Sequence, residues 1–226
     1  MPLPIAVLVS GSGSNLQSII DKSSAGVLDA EVRLVVSNRP DAFGLERAKK
    51  HGIAQAVIEH TAYPDRQAFD AEMARVIEAS GAQVVALAGF MRMLSPWFVQ
   101  RFAGRLLNIH PALLPSFPGT HGQRDAAAYG VKISGCTVHF VDEQMDHGPI
   151  IIQAAVEALP GEGADALGQR ILSIEHRIYP QAIQWLATGR LRIEGRHVFL
   201  EKAGLPKANL WVNSPCLVNP PLEDGF

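Results

Sequence analysis

The first half of the chain alternates between short apolar runs and longer segments in which apolar residues recur every three or four positions. Continuous runs rich in Val, Ile and Leu predict strands buried on both faces, and the longer spacing predicts helices with one buried side. The predicted strands cover residues 4–10, 31–37, 53–58 and 83–88, and the predicted helices cover 14–24, 43–51 and 65–80. Repeated strand–helix units predict a parallel sheet with right-handed crossovers.

The second half is less regular. A predicted strand over residues 105–109 leads directly into His110, and residues 111–119 hold three prolines and a glycine, which predict a loop. Further predictions are strands over 133–141 and 149–156, a helix over 165–187, a hairpin with arms 191–193 and 197–200, and an extended tail from 205. We therefore expect residues 1–226 to form a single α/β domain, a Rossmann-like open and mostly parallel sheet with helices on both faces.

The composition is that of an ordinary globular protein, with 226 residues of which 47% are hydrophobic and 19% charged. The formal net charge of -2 argues against a broad basic surface that binds nucleic acid, but it is compatible with a local basic pocket. Cys136 and Cys216 lack zinc-type spacing, and Cys136 is expected to be a buried structural thiol in a reducing cytoplasm. The chain has neither a signal-type N-terminus nor an apolar run near the roughly 20 residues that span a bilayer, so no membrane partner is predicted.

A glycine-rich turn links the first predicted strand to the first predicted helix. It reads Ser10-Gly11-Ser12-Gly13-Ser14-Asn15. Glycines let the backbone bring N–H groups close to an anion, and a helix N-terminus adds donors and a positive dipole end. Leu16 stands where the dinucleotide fingerprint needs its third glycine, and no Lys completes a P-loop. The turn therefore favours a monophosphate, and the alternative is a plain turn with Ser10 or Ser12 as the N-cap.

Three polar residues form the candidate chemical centre. Asn108 and His110 stand two apart at the carboxyl end of a predicted strand, so they share a face in the crevice where open α/β sheets bind ligands. Asp146 lies in a loop between two strands and can reach across. An Asn amide and a protonated His can stabilise the oxyanion of a tetrahedral intermediate, and a nearby carboxylate favours the charged His. Strand-end and turn-forming roles are the alternatives for these residues.

Four segments in this order resemble the folate-dependent phosphoribosylglycinamide formyltransferases of purine synthesis. The resemblance runs from about residue 4 to about residue 200. The motifs are Gly11-Ser12-Gly13-Ser14-Asn15, Ala88-Gly89-Phe90-Met91-Arg92-Met93-Leu94-Ser95, Leu107-Asn108-Ile109-His110-Pro111-Ala112-Leu113-Leu114-Pro115 and Asp146-His147-Gly148-Pro149-Ile150-Ile151. The Asn-x-His-Pro segment with its downstream Asp is specific to folate formyltransferases. The first motif narrows the resemblance to the glycinamide ribonucleotide branch of these enzymes.

The resemblance implies a role for each part of the chain. Residues from about 1 to 100 would bind the ribonucleotide phosphate, and those from about 101 to 200 would bind folate and catalyse, with 205–226 as a tail. Asn108 and His110 match the catalytic pair, and Asp146 matches the partner of the His. The matching ribonucleotide-binding residues are Gly13, Ser14, Asn15 and Glu175. The matching folate-binding residues are Arg66, Met91, Arg92, Met93, Leu94 and the loop from Val141 to Asp146. The family also carries a cis peptide at the position of Leu114–Pro115.

The implied activity is formyl transfer from 10-formyltetrahydrofolate, as a co-substrate, to the amine of glycinamide ribonucleotide. No metal is implied, because His110, His121, His139 and His147 lack supporting ligand spacing. A monomer or weak homodimer is expected. The sequence departs from the family pattern at His147, where a small residue is usual, in the variable loop 120–123 and in the tail.

Three other functions compete with this one. A methionyl-tRNA formyltransferase would need a tRNA-binding C-terminal domain and a basic surface. A formyltetrahydrofolate hydrolase would usually carry a regulatory domain before its catalytic half. A non-catalytic nucleotide-sugar binding module would share the scaffold without turning folate over.

Overall fold

A single eight-stranded sheet organises the protein in the computed structural model, which describes residues 1–201 and 216–226. The parallel strands are β1 (Leu3–Val9), β2 (Ala30–Ser37), β3 (Ala54–Val57), β4 (Val84–Leu87) and β5 (Leu106–His110). Antiparallel pairing then adds β6 (Ile133–Phe140), β7 (Ile150–Glu157) and β10 (Cys216–Asn219). The spatial order is β10-β7-β6-β5-β4-β1-β2-β3, so β5 is the strand at which the sheet changes from parallel to antiparallel.

Helices cover both faces of this sheet, which confirms the predicted fold class. They are α1 (Ser14–Ser24), α2 (Phe43–Lys50), α3 (Arg66–Ala79), α4 (Pro96–Arg101), α5 (Gly122–Tyr129) and α6 (Ala164–Ala187), with a short 3-10 turn at His60–Ala62. A separate hairpin, β8 (Leu191–Glu194) and β9 (His197–Leu200), follows α6. Among the residues described, no helix is both long and apolar enough to cross a bilayer.

The core consists of two layers, one on each side of the sheet. Side chains of β1 alternate between them, as strand geometry requires: Ile5 and Val7 pack in the layer under α1, α2, α5 and α6, whereas Ala6 and Leu8 pack in the layer under α3 and α4. Cys136 is fully buried in the first layer, as predicted. The continuous apolar runs in the sequence arise because both faces of the central strands are covered.

Helix α6 is anchored to the two central strands through Tyr179. Its buried hydroxyl lies 3.0 Å from the Leu87 carbonyl oxygen, at the end of β4, and 3.2 Å from that of Leu107, within β5, so its one proton can be donated to either oxygen. Glu175 lies one turn earlier on the same helix and is therefore held over the crevice at the carboxyl end of the sheet. This placement connects the helix to the functional site.

The sequence patterns missed three elements. Helix α4 begins at Pro96 after the N-cap Ser95, whose hydroxyl accepts from the Phe98 N–H at 3.3 Å, and α5 follows the proline-rich loop. The predicted tail falls partly on residues 205–215, which lie outside the described residues. Its last part forms β10 on the edge of β7, and Glu223 accepts from the Trp185 indole N–H at 3.1 Å. The end of the chain is therefore part of the folded sheet.

Candidate active site

Two adjoining cavities open at the carboxyl ends of β1, β4 and β5. The first has a volume of about 300 Å³ and is lined by residues 87 and 89–94, by the catalytic candidates and by the loop between β6 and β7 (residues 141–149, the β6–β7 loop) up to Asp146. The second has a volume of about 440 Å³ and is lined by the glycine-rich turn and the start of α6. Both cavities include Gly89, Met91, Ile109, Pro111 and Gln123 in their walls. Ligands in the two cavities would therefore meet at the end of β5.

The three predicted catalytic residues come together at this meeting point. His110 Nδ1 lies 3.5 Å from Asp146 Oδ2, and Asn108 Nδ2 lies 3.5 Å from Asp146 Oδ1. His110 is almost fully buried, and Asp146 is 11% exposed at its side chain. The Asp146 carboxylate also accepts the Gly119 N–H at 2.7 Å, so the loop after β5 and the β6–β7 loop are connected through it.

Both ring nitrogens of His110 face protein oxygens. Nε2 lies 2.8 Å from the Phe117 carbonyl oxygen, which only accepts, so Nε2 carries a proton. Nδ1 faces the Asp146 carboxylate at 3.5 Å, and that oxygen can only accept from it. For Nε2 to donate to a ligand, its hydrogen bond to the Phe117 carbonyl oxygen must therefore break and be replaced by one to a substrate oxygen.

His139 is a further polar member of the site, and the sequence patterns did not identify it. It lies opposite Asn108 in the antiparallel register of β5 and β6. Its Nδ1 donates to the Phe140 carbonyl oxygen at 2.8 Å, so its Nε2 is free to accept from Asn108 Nδ2 at 3.2 Å. Burial lowers the pKa of His139, although the Phe140 carbonyl and Asp146 oppose that shift. A neutral His139 thus orients the Asn108 amide.

The glycine-rich turn presents main-chain donors to the second cavity. Gly13, in the left-handed region at φ 66°, is the N-cap of α1, and no described side chain caps that helix. Ser10 instead donates to Asn38 Oδ1 at 2.6 Å and accepts from the Met91 N–H at 2.8 Å. The alternative in which Ser10 or Ser12 caps the helix is therefore wrong. The N–H groups of the first turn remain available to an anion.

The acidic and basic side chains that line this cavity are all carboxyl groups, among the residues described. Asp165 and Glu175 line it, and its described lining residues include neither Lys nor Arg. An anion would therefore be held by main-chain donors and the helix dipole rather than by a cation. The local basic pocket that the composition left open is absent from these lining residues.

Replacing Gly13 by Ala is expected to damage this turn. The added Cβ would lie 2.6 Å from Gly44 Cα, and the positive φ disfavours any side chain. We expect a loss of about 1–3 kcal/mol in the free energy of unfolding and a rise of about 10- to 100-fold in the KM of a phosphorylated substrate. Denaturant titration and steady-state kinetics measure both. Gly11→Ala is the control for stability, since its Cβ meets no atom within 4 Å; a Gly13→Ala protein with an unchanged KM would contradict the assignment.

Glu175 closes the opposite side of the second cavity. It is 5% exposed, and its Oε2 accepts from Asn15 Nδ2 at 2.7 Å, which joins α6 to α1. Burial raises the pKa of Glu175 to about 7, and the Asn15 hydrogen bond only partly offsets the effect. Asn15 Oδ1 is buried without a hydrogen-bond partner among the residues described. This pair therefore offers one unsatisfied acceptor, Asn15 Oδ1, to a ligand.

The raised pKa of Glu175 predicts a pH dependence of stability. The unfolded carboxyl ionises near 4.5, whereas the folded one keeps its proton to about pH 7, so the folded state binds more protons in this window. Stability is thus lost as the pH rises, by on the order of 3 kcal/mol. Glu175→Gln is expected to lack this loss. Urea unfolding of both proteins at pH 5 and pH 8 measures the difference, and parallel pH profiles would refute the prediction.

The first cavity has mainly apolar walls. Its lining includes the predicted folate-binding residues Met91, Arg92, Met93, Leu94 and Val141. Arg66, at the first turn of α3, is not among the described residues that line this cavity. Buried Asp70 accepts the Ser95 N–H at 2.5 Å and so fixes the end of the 91–94 segment. Burial raises the pKa of Asp70, opposed by Ser95 and by the charges of Arg66 and Arg92.

One backbone feature and two side-chain features complete the description of the site. The Leu114–Pro115 peptide is cis, as the resemblance implied. Within residues 1–201 and 216–226, no group of His, Cys, Asp and Glu is arranged to hold a metal ion. His147, the departure from the family pattern, lies beside Asp146, and its Nδ1 donates to Asp142 Oδ2 at 2.8 Å.

Comparison with known proteins defines the class. Residues 3–183 match the formyl transferase family, and the chain belongs to that family. The chain is 47% identical over 202 residues to the phosphoribosylglycinamide formyltransferase of Escherichia coli (strain K12), which covers 89% of this chain and 95% of that protein. Its structure is similar to that of glycinamide ribonucleotide transformylase 1 from Symbiobacterium toebii, with a TM-score of 0.87, 50% identity and coverage of 88% of this chain and 94% of that one.

A larger protein shares the same region. The trifunctional purine biosynthetic protein adenosine-3 of Drosophila melanogaster is 50% identical over 187 residues, which is 82% of this chain but 14% of that protein. The comparisons confirm the family and the fold class that the motifs predicted.

Proposed function

We propose that the protein is a phosphoribosylglycinamide formyltransferase, which transfers the formyl group of 10-formyltetrahydrofolate to the amine of glycinamide ribonucleotide in purine biosynthesis. The observation that carries this proposal is the position of Asn108, His110 and Asp146 where the two cavities meet. Family membership and the relatives of that name support the same reaction.

Catalysis in this proposal depends on stabilising one oxygen. The substrate amine attacks the formyl carbon directly, and the carbonyl oxygen becomes an oxyanion. Asn108 donates an N–H to it, and His110 donates from Nε2 after leaving the Phe117 carbonyl oxygen. Such donors in a water-excluded site are each worth about 2.7–4 kcal/mol of the barrier. Asp146 keeps His110 charged and oriented. The intermediate then collapses: the carbonyl re-forms, the bond between the formyl carbon and folate N10 breaks, and the proton that the amine loses passes to N10 through water.

The second cavity takes the ribonucleotide. Main-chain N–H groups at Gly13, Ser14 and Asn15 hold the phosphate at the start of α1. Glu175 accepts from the ribose hydroxyls, which suits a buried carboxylate with a single hydrogen-bond donor, Asn15, in the described part of the chain. The glycinamide amine then lies toward the end of β5.

The first cavity takes the folate, which supplies the formyl group. Its apolar walls suit a flat heteroaromatic ring, and the polar main chain of the β6–β7 loop suits the edge of that ring. Met91, Arg92, Met93, Leu94 and Val141 contact the ring system, and Arg66 lies farther out, toward the charged end of the co-substrate. The reactive end of the folate would face Asn108.

The test measures folate product in the presence and absence of glycinamide ribonucleotide. Spectroscopic detection of tetrahydrofolate that depends on the ribonucleotide, with formate absent, supports the transferase. Formate release without the ribonucleotide would indicate a hydrolase. Ribonucleotide binding without any folate turnover would indicate a binding module.

The setting of the reaction is part of the same proposal. We expect a cytoplasmic enzyme that acts on small molecules as a monomer or weak homodimer, without a metal. Sedimentation across a concentration range measures the oligomeric state.

A further inference from the structure

The backbone of Asp146 is held in an unfavourable conformation. Its φ of 51° lies in the left-handed region, which costs energy in a residue other than glycine. The main chain of the next-but-one residue, Gly148, packs closely on β6, because a Cβ there would lie 1.9 Å from the Phe140 carbonyl oxygen. The β6–β7 loop is thus tight at the point where it carries the carboxylate. Contacts outside the catalytic group must hold this turn.

Three hydrogen bonds hold the β6–β7 loop, two within it and one from the β8–β9 hairpin. The His147 ring donates from Nδ1 to Asp142 Oδ2 at 2.8 Å, and Asp142 Oδ1 accepts the Gln144 N–H at 3.0 Å. Arg196, in the turn of the β8–β9 hairpin, donates from Nη2 to the His147 carbonyl oxygen at 2.5 Å. We call this set, formed by His147, Asp142 and Arg196, the clasp. It fixes the side chain and the main chain of the residue that follows Asp146.

We propose that His147 and Arg196 are positioning residues for Asp146, so that the β8–β9 hairpin takes part in catalysis without contacting substrate. This inference rests on the proposed role of Asp146. The clasp keeps the turn in its left-handed conformation, and the turn aims the carboxylate at His110. Loss of the clasp lets the turn relax and moves Asp146 Oδ2 away from His110 Nδ1, now 3.5 Å apart.

The His147 ring is 44% exposed and the Asp142 side chain 34% exposed, so a modest effect is expected. His147→Ala and Arg196→Met should each lower kcat about 2- to 5-fold, with the KM of the ribonucleotide unchanged, because the second cavity is not touched. His147→Asn should restore the wild-type kcat, since its amide can donate to Asp142 as the ring does. Arg192→Met, on the same hairpin but stacked on Phe199, is the matched control and should keep the wild-type kcat.

A spectroscopic readout separates positioning from general stability. The ¹⁵N shifts of the His110 ring report the nearby carboxylate and should move in His147→Ala and Arg196→Met, but not in His147→Asn or Arg192→Met. Wild-type kcat and unmoved His110 shifts in His147→Ala would overturn the proposal. So would an unrestored kcat in His147→Asn at equal stability.

The failure of the clasp is distinguishable from failure of the proposed function. An inactive Asp146→Asn protein together with fully active clasp variants would overturn the clasp alone. A fully active Asp146→Asn protein would remove the role of Asp146 and the clasp with it.

Discussion

Replacing Asp146 by Asn is expected to lower kcat by on the order of 10³-fold. This loss is near the upper end of the range seen when one hydrogen-bond donor to an oxyanion is removed from an enzyme. The substitution keeps the shape of the side chain and an oxygen that can accept the Gly119 N–H, so the loop should stay in place. It removes the negative charge that lies 3.5 Å from His110 Nδ1. The ring then loses the partner that favours its charged form.

Steady-state kinetics across pH measures this effect, and circular dichroism checks the fold. The KM of the ribonucleotide is expected to stay near that of the wild type, because Asp146 lines only the folate cavity. Unchanged turnover and an unchanged pH–rate profile would defeat the role given to Asp146.

Replacing Asn108 by Ala is expected to lower kcat about 10²- to 10³-fold. Its amide is oriented by His139 Nε2 at 3.2 Å, so one N–H is held while the other, 3.5 Å from Asp146, is weakly engaged and free to turn to a substrate oxygen. An interaction made only in the transition state lowers kcat with little change in either KM.

Single-turnover measurements with saturating substrates isolate the chemical step for Asn108→Ala. Gln17→Ala is a matched control, since it removes an amide from α1 that lines neither cavity. An increase in the folate KM with an undiminished kcat would assign Asn108 to binding instead.

The sequence predicted the parts of the site that depend on local pattern. Asn108 and His110 share a face because they stand two apart on β5, and the glycine-rich turn precedes α1 as its composition required. The strands and helices of the first half were predicted from apolar residues, and those residues now lie in the two core layers. Family resemblance, rather than pattern, singled out Glu175, whose contact with Asn15 joins residues 160 positions apart.

Features that depend on tertiary register were not predictable. His139 reads as one residue of an apolar strand, and only its pairing opposite Asn108 brings it into the site. The contact of His110 with the Phe117 carbonyl depends on the path of a proline-rich loop. The strand β10 was missed because its four residues are too few to show a period and stand between proline-containing segments of the sequence.

The pairing of β10 with β7 has a practical consequence for anyone who shortens or tags the chain. Family matching ends at residue 183, so a version trimmed to that boundary would leave the main-chain groups of β7 without a neighbour. Open strand edges template aggregation. That version would also lack Trp185, whose side chain is fully buried in the core. Purification handles are therefore better fused to Met1, which is fully exposed, than to Phe226, whose carbonyl oxygen is bound by Arg177.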